Sequence, residues 1–151
     1  MISAVMARVD FYLLAAAGET SRDLFACRLA EKAYRLQHTV HICTADRQHA
    51  RQLDELLWTF RDGSFVPHEI LGEGPESTGA PVTIGSGAAD VQSGELRGDL
   101  LINLTDELPD LVSSFPRVAE IVTSDEDCRQ KSRKRFAGYR TQGHSLQTHE
   151  L

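Results

Sequence analysis

The chain has 151 residues, 41% of them hydrophobic, which suits one domain with a sizeable core. Its net charge of −6 argues against a generally DNA-binding surface, and its three scattered cysteines argue against a disulfide framework and for a reducing compartment. No apolar run approaches the ~18–20 residues that span a bilayer, and the first seven residues lack the features of a secretory signal. A cytoplasmic protein with no membrane contact is expected, and Met6, just ahead of the first strand, is a plausible start.

Val9 to Leu14 is an apolar, β-branched and aromatic run and predicts a first buried strand. Thr20 and Asp23 form a capping-box-like pair before a helix with Phe25, Leu29, Ala33 and Leu36 on one face. Thr39–Cys43 predicts a second strand. A helix from Asp46 follows, with Ala50, Leu53 and Leu57 aligned and Trp58 near its end. Phe65–His68 reads as a short extended piece in which Pro67 argues for an edge or a strand end. Gly72 to Gly98 reads as loop around a strand at Pro81–Ile84. Asp99–Leu104 and Val118–Val122 are further strands, and Ser124 with Asp127 opens a last helix. This alternation predicts an α/β fold with a mostly parallel sheet flanked by helices. It is expected as a single domain over 1–151, with a core of about 8–142 and a flexible C-terminal end.

Arg129 to Arg140 holds six of the sixteen Lys and Arg residues and no acid, while the other ten bases face twenty-two acids. Such a segment on an acidic body calls for a negative partner. At helical spacing Arg129, Arg133, Phe136 and Arg140 share a stripe. The bland alternative is a solvated face with Asp125–Arg129 and Asp127–Lys131 pairs, worth a few tenths of a kcal/mol each. It leaves Arg133 and Arg135 without acids four residues earlier and does not explain Phe136. An aromatic among guanidiniums suits a ligand with one apolar side chain and several negative charges.

Other chemistry is poorly supported. After the first strand, Ala15-Ala16-Ala17-Gly18-Glu19 has neither G-x-G-x-x-G nor G-x-x-x-x-G-K, so no nucleotide-binding Gly-rich loop is present there. Gly72-Glu73-Gly74-Pro75 and Gly85-Ser86-Gly87 are wrongly placed for one. His38 and His41 alternate to opposite sides of a strand, Cys27 and Cys43 fall on core-like faces, and His68 stands alone. No catalytic residues, metal ligands or cofactor are expected.

Taken together, Phe11-Tyr12-Leu13-Leu14, Leu53-Asp54-Glu55-Leu56-Leu57-Trp58, Ser64-Phe65-Val66-Pro67-His68, Gly72-Glu73-Gly74-Pro75 with Ala80-Pro81-Val82, Asp99–Leu104 and Arg133-Lys134-Arg135-Phe136 with Tyr139-Arg140 form an ordered set of landmarks. By them the chain, from about Val9 to Leu146, resembles the chi subunit family of the bacterial DNA polymerase III holoenzyme. The resemblance implies a Rossmann-like domain without catalysis of its own, although polymerase activity belongs to the holoenzyme. It implies two partners: the psi subunit, which joins chi to the clamp loader, and the acidic C-terminal tail of single-stranded DNA-binding protein (SSB).

The family's tail-binding basic positions fall on Arg129 and Arg133, its neighbouring aromatic on Phe136, and its tryptophan and phenylalanine on Trp58 and Phe65. Phe136 stands where the family pattern has tyrosine, and Ala137 where it has a further lysine. The rival readings are an α/β enzyme that binds a nucleotide or small molecule, and a direct nucleic-acid binder, which the acidic body disfavours.

Overall fold

The computed structural model describes residues 6–72, 79–86, 98–109, 112 and 114–151. Most of the Gly72–Gly98 loop, with Glu73, Gly74, Pro75 and Gly87, lies outside them. Strand β1 (Arg8–Leu13) leads into α1 (Glu19–Arg35), β2 (Val40–Cys43) into α2 (Arg47–Thr59), and β3 (His68–Ile70), β4 (Val82–Gly85) and β5 (Leu100–Asn103) follow. After β6 (Arg117–Val122), α3 (Glu126–Thr141) crosses over to β7 (Ser145–Glu150). The seven strands form one sheet in the order β3-β4-β2-β5-β6-β1-β7, with every pair parallel.

Period-two alternation divides the core between the sheet's two faces. Ile42, Ile84, Ile102, Ala119 and Ile121 meet α1 and α2 on one face. Val9, Phe11, Leu101 and Val118 meet Phe136 and Tyr139 of α3 on the other. Since α1 and α2 lie on one face and α3 on the other, each face of the sheet carries an apolar core, as expected of a parallel sheet.

Three expectations change. Helix α1 begins at Glu19 after Gly18, with no side-chain cap, because Asp23 is turned to His49 of α2 instead of back to the helix end. Its buried face holds Ala26, Ala30 and Ala33, whose small side chains let the helix lie close on the sheet, and Leu36 is exposed. Helix α3 begins at Glu126, and the Asp125 side chain bonds elsewhere. Strand β3 begins at His68, after the proline that cannot donate to a ladder, so Phe65 lies outside it.

The largest difference is at the C-terminus. Where the sequence reading expects a flexible end after about 142, Ser145–Glu150 forms the edge strand β7, in register with the whole of β1. His149 Nε2 lies 2.8 Å from the buried Asp10 carboxylate and its ring stacks on Tyr12, while Arg8 Nη2 donates to Gln147 Oε1 at 2.8 Å. These contacts are made between residues 137 or more positions apart, which is why local pattern does not disclose them.

Candidate functional site: the basic helix and an aromatic patch

Helix α3 is held by a buried polar network. Glu120 of β6 is fully buried; its Oε1 accepts from Arg135 Nε at 3.0 Å, and its Oε2 accepts from Tyr139 Oη at 2.7 Å and from Asn103 Nδ2 at 2.8 Å. A buried charge persists only when paired and bonded in this way. Arg135 is therefore withdrawn from the surface, so the segment of six bases presents at most five. Burial, and then the negative charge of Glu120, push the Tyr139 hydroxyl well above its ordinary range and keep it a donor.

The loop after β5 covers a second side of α3. Lys131 Nζ lies 3.1 Å from Asp106 and 3.2 Å from Asp127, and Arg135 Nη1 donates to the Asp106 carbonyl at 3.4 Å. A Cβ on Gly138 would stand 2.4 Å from Leu108 Cδ1, so the helix meets this loop at a residue without a side chain. Arg129, Arg133, Lys134, Ala137 and Arg140 remain exposed on the open side.

The predicted stripe survives in part. Arg129, Arg133 and Arg140 are exposed, whereas the Phe136 ring is half-buried, 5.2 Å from Phe11, and belongs to the core. The expected Asp127–Lys131 pair forms. Asp125 instead accepts from the Gly18 amide at 2.9 Å and the Thr123 hydroxyl at 2.8 Å, bonds that hold its carboxyl below the usual range. Arg133 meets Glu126 at 3.4 Å, an exposed pair of little strength. Arg129, Lys134 and Arg140 form no ion pair among the described residues.

Trp58 and Phe65 make a separate feature. They are exposed at 51% and 63%, with ring centroids 5.7 Å apart. The His68 side chain, itself fully buried, supports them: its ring lies 4.5 Å from that of Trp58, Nδ1 is 2.7 Å from the Val66 carbonyl and Nε2 is 3.0 Å from the Asp54 carbonyl. Glu31 of α1 binds Arg61 and Ser64 and fixes the intervening loop. This patch lies at the end of α2, on the face opposite α3. The resemblance groups Trp58 and Phe65 with Arg129, Arg133 and Phe136; in the structure the α2 end that carries the first two packs on one face of the sheet and α3 on the other, a placement that spacing within elements cannot reveal.

The carboxyl edge of the sheet, where α/β proteins usually bind ligands, is closed at the divergence of α1 and α3. Asp125 occupies the Gly18 amide at the start of α1, and Ser124 N donates to the Ala16 carbonyl at 3.0 Å. A carboxylate of the chain thus stands where a bound phosphate would sit. Nearby, Glu19, Asp23 and His49 bring ligand-type atoms within 4.8 Å of one another. His49 Nε2 lies 3.0 Å from Asp23 and Nδ1 accepts from Ala45 N–H at 3.4 Å, so the group clasps α1 to α2. Burial raises the Cys27 and Cys43 thiols to about 12, which makes them poor nucleophiles. Burial lowers His41 to about 4, leaving it neutral beside Thr83.

These features define an α/β protein of Rossmann-like architecture whose phosphate position is filled from within and whose surface bears a basic helix. Residues 6–147 match the family described as DNA polymerase III chi subunit, HolC. The chain belongs to this family. It is 45% identical to the DNA polymerase III subunit chi of Pseudomonas aeruginosa, over 97% of this chain and 98% of the relative. It is 34% identical to that of Escherichia coli K12, over 95% and 97%. In fold it resembles T4 UvsW, with a TM-score of 0.69 at 7% identity, over 98% of this chain and 42% of that one. Among the described residues no helix is long and apolar enough to cross a membrane.

Proposed function

We propose that this chain acts in DNA replication as a non-catalytic adaptor of the DNA polymerase III clamp loader, linking the psi subunit to the acidic C-terminal tail of SSB. The observation that carries the reading is the open side of α3, where Arg129, Arg133, Lys134 and Arg140 lie exposed on a protein of net charge −6. Such a face steers an acidic peptide, and exposed pairs of this kind act mainly on association rate and are screened by salt. The half-buried Phe136 offers a ring edge beside them. The Trp58–Phe65 patch, aromatic and remote from α3, suits the apolar interface expected for psi, whose binding survives high salt.

Calorimetry with a peptide copying the tail tests the reading. Wild type binds, Arg133→Ala weakens binding by about 10-fold, and Lys131→Ala, already paired twice, changes it little. A naked single-stranded oligonucleotide binds negligibly at moderate salt. Absence of peptide binding, or tight salt-sensitive oligonucleotide binding, overturns the proposal, the latter in favour of a nucleic-acid binder.

A further inference from the structure

Helix α1, on the face of the sheet opposite α3, carries a second cationic surface. Arg28, Lys32 and Arg35 are exposed and share a stripe at i, i+4 and i+7. Past Asp23 the helix has one acid, Glu31, which is 6% exposed and already engaged. Arg61 Nη1 lies 3.2 Å and Arg35 Nη2 3.7 Å from its carboxylate oxygens, and the Ser64 hydroxyl donates to it. Arg28 and Lys32 form no ion pair among the described residues. A solvated helix face pairs its bases with acids three or four residues away, whereas Lys32 has Arg28, Arg35 and two leucines at those spacings. The negative end of the helix accounts for Lys32 and Arg35 in its last turn, but not for Arg28, two turns from the end. Glu31 also joins this stripe to the aromatic patch. Through Arg61 and Ser64 it fixes the loop between Trp58 and Phe65, so the cations border the patch on its α1 side. The acids around the patch lie elsewhere: Asp54 is 3.1 Å from His68 Nε2, Glu55 is exposed one turn before Trp58, and Asp62 is exposed next to Arg61.

We propose that Arg28, Lys32 and Arg35 receive an acidic stretch of the subunit that seats on Trp58 and Phe65, so that its apolar residues and its carboxylates are met side by side. This rests on the reading of the aromatic patch as a subunit interface. It adds the charge of the docking segment and the direction in which that segment runs, from the aromatic pair outward along α1. The stripe is about 10 Å long, the span of about three extended residues. Exposed carboxylates opposite it hasten encounter and fix register more than they hold the complex together, because water and salt screen such pairs. Since α3 lies across the sheet, occupation of one basic helix leaves the other free.

Association and dissociation rates measured on immobilised psi subunit of the same organism, at low and high salt, test the stripe. The double variant Arg28→Glu/Lys32→Glu, altered at two exposed helical positions, associates about 10-fold more slowly than wild type at low salt, keeps its dissociation rate, and converges with wild type at high salt. Arg28→Gln/Lys32→Gln shows a smaller loss in the same direction. Trp58→Ala weakens binding at both salt concentrations. Association rates unchanged in both double variants, with Trp58→Ala still impaired, overturn the stripe and leave the interface standing. A wild type that does not bind psi overturns the interface reading and the stripe with it. A single-stranded oligonucleotide that binds wild type and not the Glu variant overturns the stripe in favour of a nucleic-acid surface.

Discussion

Arg133 and Arg135 lie two residues apart on one helix and meet opposite environments. Arg133 reaches into solvent, while Arg135, 3% exposed, is committed to Glu120 beneath the helix. Charge counting along the sequence treats them alike; what separates them is the direction in which each Cβ leaves the helix. His49 is a further residue defined by its surroundings. Its hydrogen bond to Asp23 raises its pKa, helped by the charges of Asp23 and Glu19 and opposed by burial and Arg22. A group raised in the folded state stabilises fully below its unfolded value, about 6.5, and loses that contribution as pH climbs through the higher native value. Urea denaturation across pH should therefore show wild type exceeding His49→Gln most below about pH 6.5, with the gap closing as pH rises. A gap that widens with pH contradicts the clasp.

At the scale of elements, α3 is positioned by what it lacks as much as by what it carries. Gly138 lets the helix rest against Leu108, where a Cβ would approach to 2.4 Å. Glycine inside a helix costs about 1 kcal/mol relative to alanine, so the close approach offsets a propensity loss. Gly138→Ala should consequently fail to stabilise the protein. In a Leu108→Ala background the same change should stabilise by about 1 kcal/mol, because only the propensity gain remains. Thermal denaturation of the four variants of this cycle decides it, and equal effects in both backgrounds would refute the contact as the cause. Strand β7 is the complementary case: polar in sequence, it holds its place by pairing with β1 and by the Asp10–His149 contact. Burial alone would raise the Asp10 carboxyl, but bonds from His149, Arg117 and Arg8 hold it below the ordinary value.

For the whole molecule, the carboxyl edge of the sheet is bridged at the position where nucleotide-binding proteins of this architecture hold phosphate. Asp125 satisfies the Gly18 amide, and the β1–α1 and β6–α3 loops are joined by Ser124 N to Ala16 O. ATP, GTP and NAD are expected to leave the melting temperature unchanged in thermal-shift titrations. A saturable rise following RT ln(1+[L]/Kd) would show that the position can open.

Much of the architecture was legible in the chain. Alternating apolar runs and helical stripes indicate the parallel α/β class, Asp46 marks the start of α2 through its bond to His49 N at 2.8 Å, and the missing glycine pattern after β1 argues against a phosphate loop. The concentration of bases in α3 and the family landmarks are likewise properties of sequence, because charge density and residue order need no third dimension. Tertiary structure decided the rest. It placed Trp58 and Phe65 across the sheet from α3, took Arg135 and much of Phe136 out of the surface, and converted the C-terminal end into a strand. Each of those outcomes depends on contacts between distant segments, and such contacts select among faces that local periodicity leaves equivalent.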